Sequence, residues 1–308
     1  MFKKSKKRQH YVWRRYLKAW ACGNQIACLR NRASVFSSEL MGIAQQNYFY
    51  KVGKITSDDI EYVKSLLLHD ETNTSLEIYD RILKLFSMIE LIDRLPDIPE
   101  DMELKELKSN YAINLEEEIQ SHIEDQGEKC LKSLLEKDTS FFKTKEGAAD
   151  FLSYICMQYL RTKKQQDSII NGFGNNDKER IINCINLIRI IFSNKLAANL
   201  YLNRHEYKVV IAENISMLDF LTCDQPVINF LNIDTPVGKD SVGFGLYYPI
   251  SPRLAVFFVE RSIFGSVENL TFDETTVREF NSMVIASAHE QVYASSKDQL
   301  RCFLLTET

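Results

Sequence analysis

Apolar and polar positions change their period twice along the chain. In the first fifty residues the apolar positions come in short bursts: a segment at 9–20 rich in aromatics ends near Gly23, residues 26–30 predict a short strand, and 34–36 predict a second. The two would form a hairpin across Asn31-Arg32. From Ser57 the spacing becomes helical. Asp58 with Glu61, Thr74 with Glu77, Asn114 with Glu117 and Asn176 with Glu179 have the spacing at which a cap side chain and a glutamate satisfy each other's free backbone amides, so each pair predicts a helix start. Ile78, Ile82, Leu85, Phe86 and Ile89 form an apolar stripe in the second of these helices, and Ile181, Ile185, Ile188, Ile191 and Phe192 form one in the last. Pro96 and Pro99 stop the second helix, a further helix is expected over 145–161, and Gly172-Phe173-Gly174-Asn175-Asn176 reads as a loop.

Beyond Asn203 the runs shorten again. Segments 208–212, 219–222, 227–230, 246–250 and 254–259 are apolar or aromatic and separated by Pro, Gly, Asn and Asp, which predicts strands. Helical spacing returns over 275–294, and 302–305 reads as a last edge strand. The fold class that follows is α+β: a strand-containing N-terminal unit (1–55) and a strand-rich C-terminal sheet with a terminal helix (201–308) around a mostly helical middle (56–200), without βαβ alternation.

Composition narrows the class. The chain has 308 residues, 45% hydrophobic and 26% charged, which is globular usage and excludes a disordered or collagen-like chain. The most apolar stretch, 181–202, is interrupted by Arg189 and Lys195, so no membrane span is expected there. The basic N-terminus continues into Arg14, Arg15 and Lys18 where a signal peptide needs apolar residues, so the expected location is cytoplasmic. Seven scattered cysteines, an odd number without a Cys-x-x-Cys pair, are expected to be reduced and mostly buried rather than zinc-binding.

The net charge of −4 does not mark a nucleic-acid binder, but its distribution is uneven. Eight Lys or Arg side chains and no carboxylate lie in the first eighteen residues, while 57–138 is acidic. The basic arm is a candidate phosphate contact, and a solvated terminus is the competing reading.

No phosphate-loop, dinucleotide, nucleophile-elbow or zinc-protease motif occurs. The densest polar cluster runs from His10 to Trp20 and interleaves Arg14, Arg15 and Lys18 with Tyr11, Trp13 and Tyr16. Guanidinium forks and aromatic faces suit phosphates and bases, and His10 titrates near neutrality. In a helix, His10, Arg14 and Leu17 would share one face and Trp13, Tyr16 and Trp20 another; the alternative is an amphipathic helix whose arginines pair with the acidic middle. A second cluster is Leu221-Thr222-Cys223-Asp224-Gln225-Pro226-Val227. An aspartate at a strand end is a candidate base or cation ligand, and an Asx-turn that caps its own loop is the alternative.

Taken in order, His10-Tyr11-Val12 with Tyr16-Leu17 and Trp20, the 221–227 segment, Pro249-Ile250-Ser251-Pro252, and Asn281 before Val292-Tyr293-Ala294 resemble the family catalogued as domain of unknown function 4238. Trp13, Cys223 and Ile250 stand where that family has Pro, Ser and Leu. Glu124, and Gln158 with Arg161, are similar to polar positions of the family's central region. The match covers almost the whole chain and implies one domain over 1–308. The resemblance implies a bacterial anti-phage defence protein and leaves the chemistry open.

The expectation is therefore a defence effector acting on nucleic acid or a nucleotide, nuclease-like or nucleotide-modifying, through one composite pocket. In that pocket His10 would be general acid or base and Asp224 a base or metal ligand, with a divalent metal as the candidate cofactor. Arg14, Arg15, Gln158 and Arg161 would bind substrate or phosphate. The alternative is a non-enzymatic sensor of a phage protein or nucleic acid.

Overall fold

A computed structural model describes residues 6–69, 73–96, 101–174, 177–233 and 243–304. The chain opens with strand β1 (Arg8–His10) and a one-turn helix α1 (Arg14–Leu17) that runs into a 3-10 turn at Lys18–Trp20, so the 9–20 segment is not one helix. Strands β2 (Gln25–Arg30) and β3 (Ser34–Glu39) form the expected hairpin, with Asn31 and Arg32 both at positive φ, 51° and 53°, as its tight turn requires. Strand β4 (Gln45–Asn47) returns to pair antiparallel with β1.

Helices α2 (Ser57–Leu67), α3 (Asn73–Asp93), α4 (Met102–Leu135), α5 (Lys145–Leu160), α6 (Lys163–Gly172) and α7 (Lys178–Leu202) form the middle. The start of α2 is a capping box of Thr56 and Asp59, two residues ahead of the expected Asp58 and Glu61 pair. The Asn114 and Glu117 pair marks no start: it lies in mid-α4, which is capped by Asp101 accepting from the Leu104 amide at 2.9 Å. Asn176 and Pro99 lie outside the described residues. Helix α7 is long and apolar enough to cross a membrane by length and composition, yet it packs against α5, α2 and α6 and most of its apolar side chains are buried inside the fold.

The C-terminal third supplies β5 (Tyr207–Asn214), β6 (Thr222–Cys223), β7 (Ile228–Asn229), β8 (Gly245–Pro249), β9 (Leu254–Glu260), β10 (Asn269–Phe272), α8 (Glu274–Ser287), β11 (Gln291–Ala294) and α9 (Lys297–Leu304). Two expectations fail here. The helical spacing over 275–294 breaks after Ser287 into strand β11, and the edge strand expected at 302–305 is helix α9 as far as Leu304, with Leu305 outside the described residues. One sheet has the order β10-β5-β9-β8-β7, with β10 parallel to β5 and the other pairs antiparallel. It is buried on both faces: Val256 and Phe258 of β9 enter the core shared with α5 and the N-terminal unit, and Ala255, Phe257 and Val259 enter the core beneath α8. A second sheet, β3-β2-β11-β6, joins the two ends of the chain, since the N-terminal hairpin is completed by β11. The architecture is α+β.

Candidate functional site: a cationic cleft

Strand β1 is fixed by Gln9, whose buried amide donates to the Ile113 carbonyl of α4 at 2.9 Å and accepts from the Tyr50 amide at 2.7 Å. That pinning sets His10 at the edge of α4. The chain then turns inward: Tyr11, Val12 and Trp13 are buried, Tyr16 bonds Thr222 and the Pro249 carbonyl, and Trp20 donates to the Phe220 carbonyl at 2.7 Å. With the aromatic side of 9–20 held by the strands, Arg14, Arg15 and Lys18 are left on the outer side.

Between that outer side and α4 lies a cleft of about 940 Å³. One wall carries Lys6, Arg8, Arg14, Arg15 and Lys18 with His10; the other is α4, presenting Glu117, Gln120, Ser121 and Glu124, with Arg161 just beyond the end of α5. Six Lys or Arg side chains thus face two carboxylates. Lys6 pairs with Glu117 at 3.0 Å, Arg15 pairs with Glu128, and Arg161 pairs with Glu124. Arg8, Arg14 and Lys18 have no carboxylate partner among the described residues.

Arg161 holds the cleft together. Its guanidinium, only 3% exposed, donates to the Tyr50 hydroxyl at 2.8 Å, to the His10 carbonyl at 2.9 Å and to Glu124. Burial alone favours loss of its proton, but Tyr50 and Glu124 hold that proton more firmly than usual. Burial pushes the Glu124 carboxyl up, against the pull of Arg161. His10 faces the Leu40 carbonyl through Nε2 at 3.3 Å, which assigns a proton to that nitrogen because a carbonyl only accepts. Burial lowers its pKa below the ordinary histidine value, and Arg14 and Arg161 act in the same direction.

Beneath the α4 wall lies a buried charge pair. Arg189 of α7 binds both oxygens of Glu116 at 2.8 and 3.0 Å, and these residues are 1% and 0% exposed. Asn186 and Gln120 also donate to Glu116. This layer was not expected from the sequence. Its one signal was the arginine in the middle of the apolar run at 181–202.

The structure brings His10, Arg14, Arg15 and Arg161 to one cleft and leaves Asp224 and Gln158 outside its lining. Asp224, just after β6, accepts from the backbone amides of His289, Glu290 and Gln291 at 2.8, 2.7 and 3.0 Å and so fixes the turn that leads into β11. Burial pushes its carboxyl above the usual range, against the pull of those three amides. Gln158 is buried in α5 with neither amide atom hydrogen-bonded. Of the basic arm, Lys3 and Lys4 lie outside the described residues. Among the described residues no three His, Cys, Asp or Glu side chains are grouped to hold a metal ion.

The fold and cleft define an α+β protein with a cleft lined by Lys and Arg side chains at its N-terminal motif. The family described as Protein of unknown function (DUF4238) matches residues 8–298, and the chain belongs to that family. No curated protein and no solved structure matches the chain.

Proposed function

We propose that the cleft binds the phosphate of a nucleic acid or a nucleotide, and that the protein acts through it as a bacterial anti-phage defence effector. The observation that carries this reading is the placement of Arg8, Arg14 and Lys18, without carboxylate partners among the described residues, on one wall of a cleft that also holds His10. Unpaired cations in a concave site attract phosphate and make binding salt-dependent. The defence setting is what the family resemblance implies. His10 is the group in the cleft suited to proton transfer near neutral pH. In this reading Asp224 holds the turn that leads into β11 rather than reacting.

A second reading, a non-enzymatic sensor that captures nucleic acid without chemistry, is favoured by the ion pairing of both carboxylates that line the cleft. One experiment tests the common part. The triple variant Arg8→Gln, Arg14→Gln, Lys18→Gln should bind a single-stranded oligonucleotide more weakly, with a log-log salt slope smaller by roughly 2 to 3, and should lose phage protection in plaque assays. Unchanged affinity and slope in the folded variant would refute it. A His10→Gln variant that binds but no longer protects would favour chemistry over capture.

A further inference from the structure

The two walls of the cleft differ in chemistry. The N-terminal wall offers cations, whereas α4 offers Glu117, Gln120, Ser121 and Glu124 at helical spacings of three and four, one face of the helix rich in hydrogen-bond acceptors. Gln120 stands out among them. It is 2% exposed, and its Oε1 is shut off from solvent without a hydrogen-bond partner.

The orientation of that amide is fixed by chemistry. Gln120 Nε2 donates to Glu116 Oε1 and contacts Met157 Sδ, each at 3.2 Å. Glu116, held by Arg189, is acceptor-only when ionised, so flipping the amide would set oxygen against carboxylate. The buried pair therefore keeps the Gln120 nitrogen turned to Glu116 and leaves the oxygen unsatisfied. An orphaned buried acceptor is unfavourable, and a donor that reaches it gains more than a donor at the surface.

We infer that the α4 wall reads a base: a nucleotide carrying an exocyclic amino group places its phosphate on Arg8, Arg14 and Lys18 and donates that amino group to Gln120 Oε1. The cleft volume suits such a ligand, since pockets for small molecules run from roughly 300 to 1,000 Å³. Gln120 lines the cleft while its oxygen is closed off, so the base reaches that oxygen when neighbouring side chains move aside. This inference rests on the phosphate reading above, and the nucleotide is either free or one unit of a strand.

The test compares ligands that differ by one amino group, on the full-length protein. Competition is measured with ATP against purine riboside 5′-triphosphate, with oligo(dA) against an oligomer of purine deoxyriboside, and with tripolyphosphate. The amino-bearing member of at least one pair should bind about tenfold more tightly, a difference of about 1.4 kcal/mol. The first pair reports a free nucleotide and the second a strand. Gln120→Met should keep tripolyphosphate binding and lose that tenfold preference. If both pairs agree within twofold while tripolyphosphate still competes, the base reading is overturned and the phosphate site stands. If no probe competes, both fall. Should Gln120→Met fail to fold, the ligand comparison on the unaltered protein decides alone.

Discussion

Replacing Arg189 by methionine tests the support beneath the cleft. The change keeps most of the side-chain volume and removes the cation, leaving Glu116 in a site with no solvent access. Two hydrogen bonds from Arg189 to Glu116 disappear, as does the one from Arg189 to the Gln166 side chain at 3.0 Å; the contacts of the guanidinium with the Phe49 and Tyr50 rings go too. Breaking a buried pair on one side costs about 3 to 5 kcal/mol. Asn186 and Gln120 still donate to Glu116, which places the expectation near the lower end. For a chain of this length each kcal/mol lowers the melting temperature by roughly 2 °C, so Arg189→Met should melt roughly 6 °C or more below the parent. Urea melts of Arg189→Met, Glu116→Gln and the double variant complete a cycle. The double variant should lose no more stability than the worse single, a coupling of about 2 to 3 kcal/mol, since a charge stranded by one change is removed by the other. Additive losses, or a single variant within about 1 kcal/mol of the parent, would refute the argument that this pair is a coupled buried unit.

Two further outcomes follow from the same geometry. Asp224→Asn cannot accept from three backbone amides, and removal of a charge that burial disfavours recovers part of the loss. A fall of about 1 to 3 kcal/mol in urea melts is therefore expected, with oligonucleotide affinity of the folded protein unchanged; normal stability with lost binding would instead place Asp224 in the site. Burial lowers the His10 pKa, so its contribution to stability is complete above the unfolded value of about 6.5 and is lost as pH falls through the folded value. A phosphodiester beside the ring favours the protonated form and reverses this. Oligonucleotide affinity should therefore rise as pH drops below neutrality and should do so less in His10→Gln, and equal pH profiles for the two proteins would remove His10 from the phosphate contact.

Parts of the site carried by neighbouring residues were legible in the sequence. His10, Arg14 and Arg15 lie in one short segment whose buried aromatics force the cations outward, and the interleaving shows in the residues themselves. Gln120 and Glu116 were not legible. In Glu116-Glu117-Glu118 nothing local tells the residue facing Arg189 from its two neighbours; only the rotation of a 34-residue helix buries the first and leaves the third exposed. The same holds for the end of the chain. Val284 and Ala288 fit a helical period that Val292 continues in the sequence, but Val292-Tyr293-Ala294 is a central strand between β2 and β6, selected by tertiary pairing over local pattern. Asp224 was recognised as a strand-end carboxylate, but its partners, the amides of 289–291, are distant in sequence.

The pairing of β2 with β11 also sets a schedule. Arg30 meets Gln291, so the N-terminal hairpin waits for roughly 260 residues to be made before its sheet is complete, a delay of some tens of seconds or less at ordinary rates of synthesis. The aromatic residues that hold Arg14 and Arg15 outward bond to Thr222, Phe220 and Pro249, which emerge late as well. A ribosome-bound fragment that ends before residue 220 therefore carries the basic motif and the α4 wall without the strand contacts that hold Tyr16 and Trp20 inward. Under the phosphate reading proposed above, Arg14 and Arg15 would reach their folded positions only after residues 220–249 have emerged, and β2 would find its partner only once β11 has been made.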